Sequence, residues 1–124
     1  EIQVVNDEAE MEAIWASRNS NSSYKSYFST RLDAIITEPH KMRVNISEPI
    51  FLSDFTVYES GQIRNGCLLN LEKHLERLQS GIKNAHFDTN FPLEELMKKF
   101  KEVFMQTVVK SQCQDGSFKV FVTQ

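Results

Sequence analysis

Apolar side chains recur at spacings of three and four residues in two stretches of the second half of the chain. Such spacing places them on one face of a helix. The first helix is predicted to start after Asn70, a good N-capping residue, and to run to about Lys83. The second opens at Phe91-Pro92, because proline in a first turn loses no hydrogen bond. The predicted buried stripes are Leu71, Leu75, Leu78 and Ile82 in the first helix, and Leu93, Leu96, Phe100, Val103, Phe104 and Val108 in the second.

A third helical pattern lies near the start of the chain. Asn6 is predicted to cap it, and Met11, Ile14 and Trp15 form its apolar stripe. The segment that follows, SRNSNSSYKS, is rich in Ser and Asn and predicts a loop or linker. We therefore predict that residues 1–22 form an N-terminal helix and linker, and that residues 23–124 form a separate small domain.

Extended runs occupy most of the remaining sequence. Strands are predicted at residues 27–37, 41–46, 55–64 and 117–123, with a short return strand at 67–70. Asn65-Gly66 is the strongest two-residue hairpin signal, because both residue types tolerate positive φ. Strands clustered beside helices, instead of alternating βαβ units, favour an α+β fold. We predict a small mixed sheet with helices packed against it.

Composition narrows the classes of function. The chain has 124 residues, 40% of them hydrophobic and 25% charged, with a net charge of −3. These values are typical of a soluble globular domain and not of a nucleic-acid-binding protein. The sequence shows no apolar run long enough to cross a membrane and no signal peptide. We expect an intracellular location, in the cytoplasm or an organelle.

The two cysteines and three histidines give little support for redox or metal chemistry. Cys67 and Cys113 are interpreted as free thiols, with a disulfide as the alternative. His40, His74 and His86 are scattered, without carboxylates or cysteines at ligand spacing, so no metal site is predicted.

His74 and Arg77 stand three residues apart on the predicted helix behind the hairpin. At 100° per residue both fall at the edge of the apolar stripe. A guanidinium there matches a phosphate or a carboxylate, because its planar fork carries five donors. The alternatives are an ion pair of Arg77 with a helix neighbour such as Glu72, or a side chain that covers apolar surface.

Tyr58 lies on the strand before that helix. Alternation places it with Thr56 and Ser60, opposite Val57 and Glu59. Its phenol, the Arg77 guanidinium and the His74 imidazole are one candidate set for binding an anion. A half-buried sheet tyrosine without such a role is the alternative.

The segment VYESGQIRNGCLLNLEKHLERLQSGIKNAHF resembles the N-terminal domain of class IV pyridoxal-phosphate-dependent aminotransferases. That family includes D-amino-acid and branched-chain aminotransferases and aminodeoxychorismate lyase. An aromatic-Glu pair, here Tyr58-Glu59, enters a hairpin in that family, and a His-x-x-Arg-Leu helix follows. The upstream segment YFSTRLDAIITEPHKMRVNISE is also similar to the D-amino-acid-aminotransferase-like subgroup.

The resemblance implies a role for three residues. Arg77 matches the arginine that binds the phosphate of pyridoxal 5'-phosphate, with His74 beside it in the cleft wall. Tyr58 matches an aromatic residue that faces the substrate. The parent enzyme would be a homodimer that moves an amino group between an amino acid and a 2-oxo acid.

Two departures bear on activity. Ser53, Asp54, Phe55 and Thr56 stand where family members carry glycines that let the backbone approach the cofactor. None of the lysines matches the Schiff-base lysine, which belongs to the family's second domain. We therefore expect a piece of a longer parent protein, with no catalytic residue in this chain. The alternatives are a lyase of the aminodeoxychorismate type and a degenerate, non-catalytic interaction domain.

Overall fold

A computed structural model describes residues 1–18, 23–52 and 55–124. The chain forms two compact units, residues 1–43 and residues 44–124. The predicted domain boundary follows residue 22. Residues 19–22, which belong to the predicted linker, lie outside the described residues.

The described residues of the first unit form one helix, one hairpin and one helical turn. Its elements are α1 (Glu8–Arg18), β1 (Tyr27–Ser29), β2 (Ala34–Ile36) and a 3-10 turn (Pro39–Lys41). The predicted N-terminal helix is confirmed, but its cap is Asp7 and not Asn6. The backbone N–H of Glu10 donates to Asp7 Oδ2 at 2.8 Å, which satisfies one of the free donors of the first turn.

Two strand predictions in this region were wrong. The run 27–37 is not one strand, because it folds back on itself as the antiparallel pair β1–β2, with Tyr27 opposite Ile36. Asp33 ends the turn with φ 48°, a conformation that aspartate tolerates better than most residues. The run 41–46 forms no strand. Ile46, one of the apolar residues that the alternation predicted to be buried, is 83% exposed. Among the described strands, none pairs with this run, so its alternating pattern does not lead to a strand.

In the described part of the second unit, a three-stranded sheet is covered by two long helices, and a short helix precedes the sheet. Its elements are α2 (Pro49–Leu52), β3 (Thr56–Arg64), β4 (Cys67–Leu68), α3 (Leu71–Asn84), α4 (Leu93–Ser111) and β5 (Gly116–Thr123). The strand order is β4-β3-β5, and β3 pairs with both neighbours in antiparallel register. The α+β class is confirmed. The described strand pairs are all antiparallel, whereas a mixed sheet was predicted.

The core lies between the sheet and the helices α3 and α4. Leu78 and Ile82 are the most deeply buried side chains. Phe104 of α4 packs edge-on against Phe118 of β5, with 5.0 Å between the ring centroids. The predicted stripe of α3 is confirmed at Leu75, Leu78 and Ile82. Asn70 does precede α3, but it adopts φ 57° and makes no side-chain capping hydrogen bond. Its predicted capping role was therefore wrong.

Helix α3 runs back along β3 at very short distance. A Cβ on Gly81 would lie 2.6 Å from Cγ1 of Val57, and a Cβ on Gly61 would lie 2.7 Å from Nε2 of His74. Real Cβ atoms are almost never so close to another heavy atom. The two glycines therefore fix the register of helix on strand, which places the side chains described below.

Gly81→Ala is predicted to destabilise the chain by about 1–2 kcal/mol. Alanine favours a helix interior by up to about 1 kcal/mol, but here its methyl group would collide with the stiff, β-branched Val57. Denaturant unfolding monitored by circular dichroism would measure the change. Ser80→Ala, an exposed position on the same helix, is the control and should not destabilise it. A stabilised Gly81→Ala variant would contradict the close packing.

Among the described residues, the helices are all too short or too polar to span a lipid bilayer.

Candidate functional site

One carboxylate lies on the core-facing side of β3. Burial alternates along this strand, and Val57, Glu59, Gly61 and Ile63 are turned toward α3. Glu59 is the charged member of this set, and only 11% of its side chain is exposed. Because a buried charge is costly unless it is paired, the strand requires a cationic partner from the helix above it.

Helix α3 supplies that partner through Arg77. Arg77 Nε donates to Glu59 Oε2 at 3.2 Å, and Nη2 donates to Oε1 at 2.8 Å. The two bonds run side by side, in the bidentate geometry that makes an Arg–carboxylate pair specific. The guanidinium is thus held along one edge by the strand beneath it.

His74 completes the cluster from one turn earlier on α3. Its Nδ1 lies 3.0 Å from Glu59 Oε1 and 3.0 Å from Arg77 Nη2. One nitrogen cannot serve both partners, so Nδ1 either donates to the carboxylate or accepts from the guanidinium. In both cases the ring braces the pair. The His74 ring is buried because Gly61 has no side chain to displace it.

The electrostatics of the cluster keep Glu59 ionised. Burial raises the pKa of the Glu59 carboxyl, but the hydrogen bonds from Arg77 and His74, together with their charges, lower it by more. The net pKa lies below the ordinary value of a glutamate. The Glu59–Arg77 pair therefore stays fully charged at neutral pH and has no net charge.

Acidification is predicted to remove the stabilisation that Glu59 provides. Its pKa is lower in the folded state than the value of about 4.3 typical of an unfolded chain. The contribution is therefore complete above that value and is lost as pH falls through the folded-state pKa. The difference in unfolding free energy between the wild type and Glu59→Gln should therefore be constant at neutral pH and should shrink as the pH falls below about 4.3.

Urea unfolding at a series of pH values would measure that difference. Glu72→Gln is the matched control, because Glu72 is an exposed carboxylate of α3 that pairs with Lys101. Its effect should stay within about 0.5 kcal/mol. A Glu59→Gln difference that does not change with pH would contradict the pairing.

Arg77 also reaches into solvent. Its side chain is 61% exposed, whereas Glu59 beside it is nearly buried. Within the described part of the chain, Nη1 of Arg77 has no hydrogen-bond partner. The cluster therefore presents an oriented guanidinium nitrogen with two free N–H groups at the protein surface.

Tyr58 lies on the opposite side of the sheet. Its ring contacts Phe121, the residue directly across on β5, with 5.2 Å between centroids. Tyr58 is 51% exposed. Strand β4 pairs only with Ile63 and Arg64, so no described strand covers that edge of β3 beside Tyr58 and Glu59. The sheet itself therefore lies between the aromatic pair and the charged cluster.

The structure thus brings two of the three predicted site residues together. His74 and Arg77 share a face as predicted, but His74 is 7% exposed and does not lie at the edge of the helix stripe. Arg77 pairs with Glu59 and not with a helix neighbour. Tyr58 is not part of their cluster. The predicted binding roles of Arg77, His74 and Tyr58 stay predictions.

The departures from the family's glycine pattern are described only in part. Ser53 and Asp54 lie outside the described residues, while Phe55 is 68% exposed and Thr56 begins β3.

Sequence reasoning missed Glu59 and Gly61 as members of the site. The available signal was the alternation of β3, which places a carboxylate among Val57 and Ile63 on the core side. A charge on an apolar face indicates a partner on the element that packs there. The helix that follows carries that partner, at Arg77.

Comparison with known proteins gives one partial similarity. Over 100 residues the chain is 27% identical to the chloroplastic D-amino-acid transaminase of Arabidopsis thaliana, a match that covers 81% of this chain and 26% of that protein. The chain thus spans about a quarter of the length of the relative it matches. No protein-family model matches the chain.

Proposed function

We propose that this chain is the N-terminal lobe of a pyridoxal-phosphate-dependent aminotransferase and forms one wall of its cofactor cleft. The observation that carries the proposal is the free Nη1 of Arg77, held in place by Glu59 at the protein surface. The partial similarity to a D-amino-acid transaminase supports the same conclusion.

The donor set of Arg77 fits a phosphate group. A planar guanidinium gives short, directional hydrogen bonds to phosphate oxygens, and two N–H groups of Nη1 are unused. Because Glu59 balances the charge of Arg77, this chain offers oriented donors and not a concentrated positive field. The remaining counter-charge of a phosphate dianion would come from the rest of the parent protein.

Each site residue then has a distinct task in the parent enzyme. Arg77 binds the cofactor phosphate, and His74 braces the Arg77–Glu59 pair from below. Tyr58 lies on the other face of β3 and has no part in the phosphate site; its place in this proposal is the substrate side of the cleft, to which it would bring an apolar ring with a polar tip. Pyridoxal phosphate, when bound, supplies the electron sink that lets an amino group pass between an amino acid and a 2-oxo acid.

The test is to find the lysine that holds the cofactor. The parent protein is treated with borohydride, digested, and searched by mass spectrometry for a pyridoxyl-lysine peptide. We expect one modified lysine outside residues 1–124, together with amino-group transfer to 2-oxo acids. Pyruvate release without transfer would support the lyase. Absence of any pyridoxyl peptide would overturn the proposal and favour a non-catalytic interaction domain.

A further inference from the structure

We propose that Glu59 is a positioning residue that holds the Arg77 guanidinium in the orientation needed to bind the cofactor phosphate. This inference rests on the function proposed above. It assigns a task to a residue that touches neither cofactor nor substrate and acts through Arg77.

The geometry of the pair divides the guanidinium into two edges. Glu59 takes Nε and Nη2, at 3.2 Å and 2.8 Å, and leaves Nη1 at the opposite end of the fork. Because the group is planar and rigid, fixing two nitrogens fixes the direction of the third. Nη1 therefore points away from β3 and toward solvent.

The anchor itself is rigid. Glu59 belongs to the middle strand of the sheet and is paired in register with Val120 of β5. Its carboxylate is 11% exposed and is braced by His74. Arg77, in contrast, is a long side chain with many rotamers and is 61% exposed. Without Glu59 it would have to be ordered by the phosphate at the moment of binding, which would weaken binding.

Positioning and charge act in opposite directions here. The Glu59 carboxylate repels a phosphate anion, so its removal alone would favour binding. Its loss also frees Arg77, which opposes binding. Glu59→Asp separates the two effects, because aspartate keeps the negative charge but its carboxylate is withdrawn by one methylene from the guanidinium.

The binding test uses two ligands that differ only in the phosphate. Pyridoxine 5'-phosphate and pyridoxine lack the aldehyde, so neither forms a bond to lysine. Calorimetry would give the affinity of each ligand for the apo form of the parent protein. The affinity for pyridoxine 5'-phosphate divided by the affinity for pyridoxine isolates the contribution of the phosphate. We expect Glu59→Asp to lower this ratio about three- to tenfold, while Glu72→Asp leaves it unchanged.

A second measurement reports the orientation of Arg77 without any ligand. In the 124-residue chain, the Nε–H signal of Arg77 in ¹H–¹⁵N spectra should exchange slowly with water in the wild type. It should exchange faster in both Glu59→Asp and Glu59→Gln. The remaining signals of the same spectra show whether each variant is folded, so poor binding caused by unfolding would be recognised.

The outcomes distinguish this inference from the proposed function. An unchanged or raised affinity ratio in folded Glu59→Asp, with Arg77→Ala still abolishing phosphate preference, would overturn the positioning role alone. An Arg77→Ala variant with normal phosphate preference would overturn the phosphate role of Arg77 and, with it, the positioning role of Glu59. The proposed aminotransferase function would then depend on the pyridoxyl-lysine test alone.

Discussion

Arg77→Ala is expected to weaken pyridoxal phosphate binding to the parent protein by about 10- to 100-fold, the effect of losing one or two charge-assisted hydrogen bonds. The variant removes the exposed donors of Nη1 and leaves the nearly buried Glu59 carboxylate without its bidentate partner. Titration of the apo-protein with cofactor, followed by absorbance, would give the two dissociation constants.

Two further variants sharpen the result. Arg64→Ala removes an arginine at the end of β3 that donates to Gln62 and to backbone carbonyls, and it should leave cofactor affinity unchanged. Arg77→Lys keeps the charge but loses the planar fork, so it should recover only part of the affinity. Equal cofactor affinity in the wild type and Arg77→Ala would show that the phosphate is bound elsewhere.

Gly61→Ala is expected to destabilise the chain by about 1–3 kcal/mol, the usual cost of overpacking a core. Its Cβ would lie 2.7 Å from Nε2, 3.2 Å from Cε1 and 3.3 Å from Cδ2 of the buried His74 ring. The ring meets the strand with three atoms at once, so no small rotation relieves the contact. Denaturant unfolding would measure the loss.

A double-mutant cycle tests whether His74 is the cause. Because alanine at position 74 removes the obstructing ring, Gly61→Ala should cost much less in a His74→Ala background. Ser60→Ala is the control on the same strand, at an exposed position of the opposite face. Additive effects of Gly61→Ala and His74→Ala would contradict the close approach of α3 to β3.

The elements of the second unit were predictable because several signals agree there. In α3 and α4 the helical spacing of apolar residues extends over three turns or more. The extended run that becomes β3 ends at a strong turn signal, Asn65-Gly66. In the first unit the hairpin turn has neither Gly nor Pro, so the sequence carries no strong turn signal there. The run 27–37 therefore has the pattern of one continuous strand, although it folds back on itself in the structure.

The site was predictable only as far as local spacing reaches. His74 and Arg77 share a face because they stand three apart on a helix. Their common partner, Glu59, is 15 and 18 residues away and becomes a neighbour only through the register of α3 on β3. Gly61 and Gly81 set that register by allowing the close approach. The spacing of apolar residues predicts which face of one element is buried, but it does not predict such a contact between two elements.

The most direct test of the account is a crystal structure of the parent protein with pyridoxal phosphate bound. The distance of interest joins Nη1 of Arg77 to the nearest phosphate oxygen. We predict about 2.7–2.9 Å, the length of a charge-assisted hydrogen bond, with Glu59 still paired to Nε and Nη2. A phosphate held by other residues, with Arg77 directed into open solvent, would contradict it.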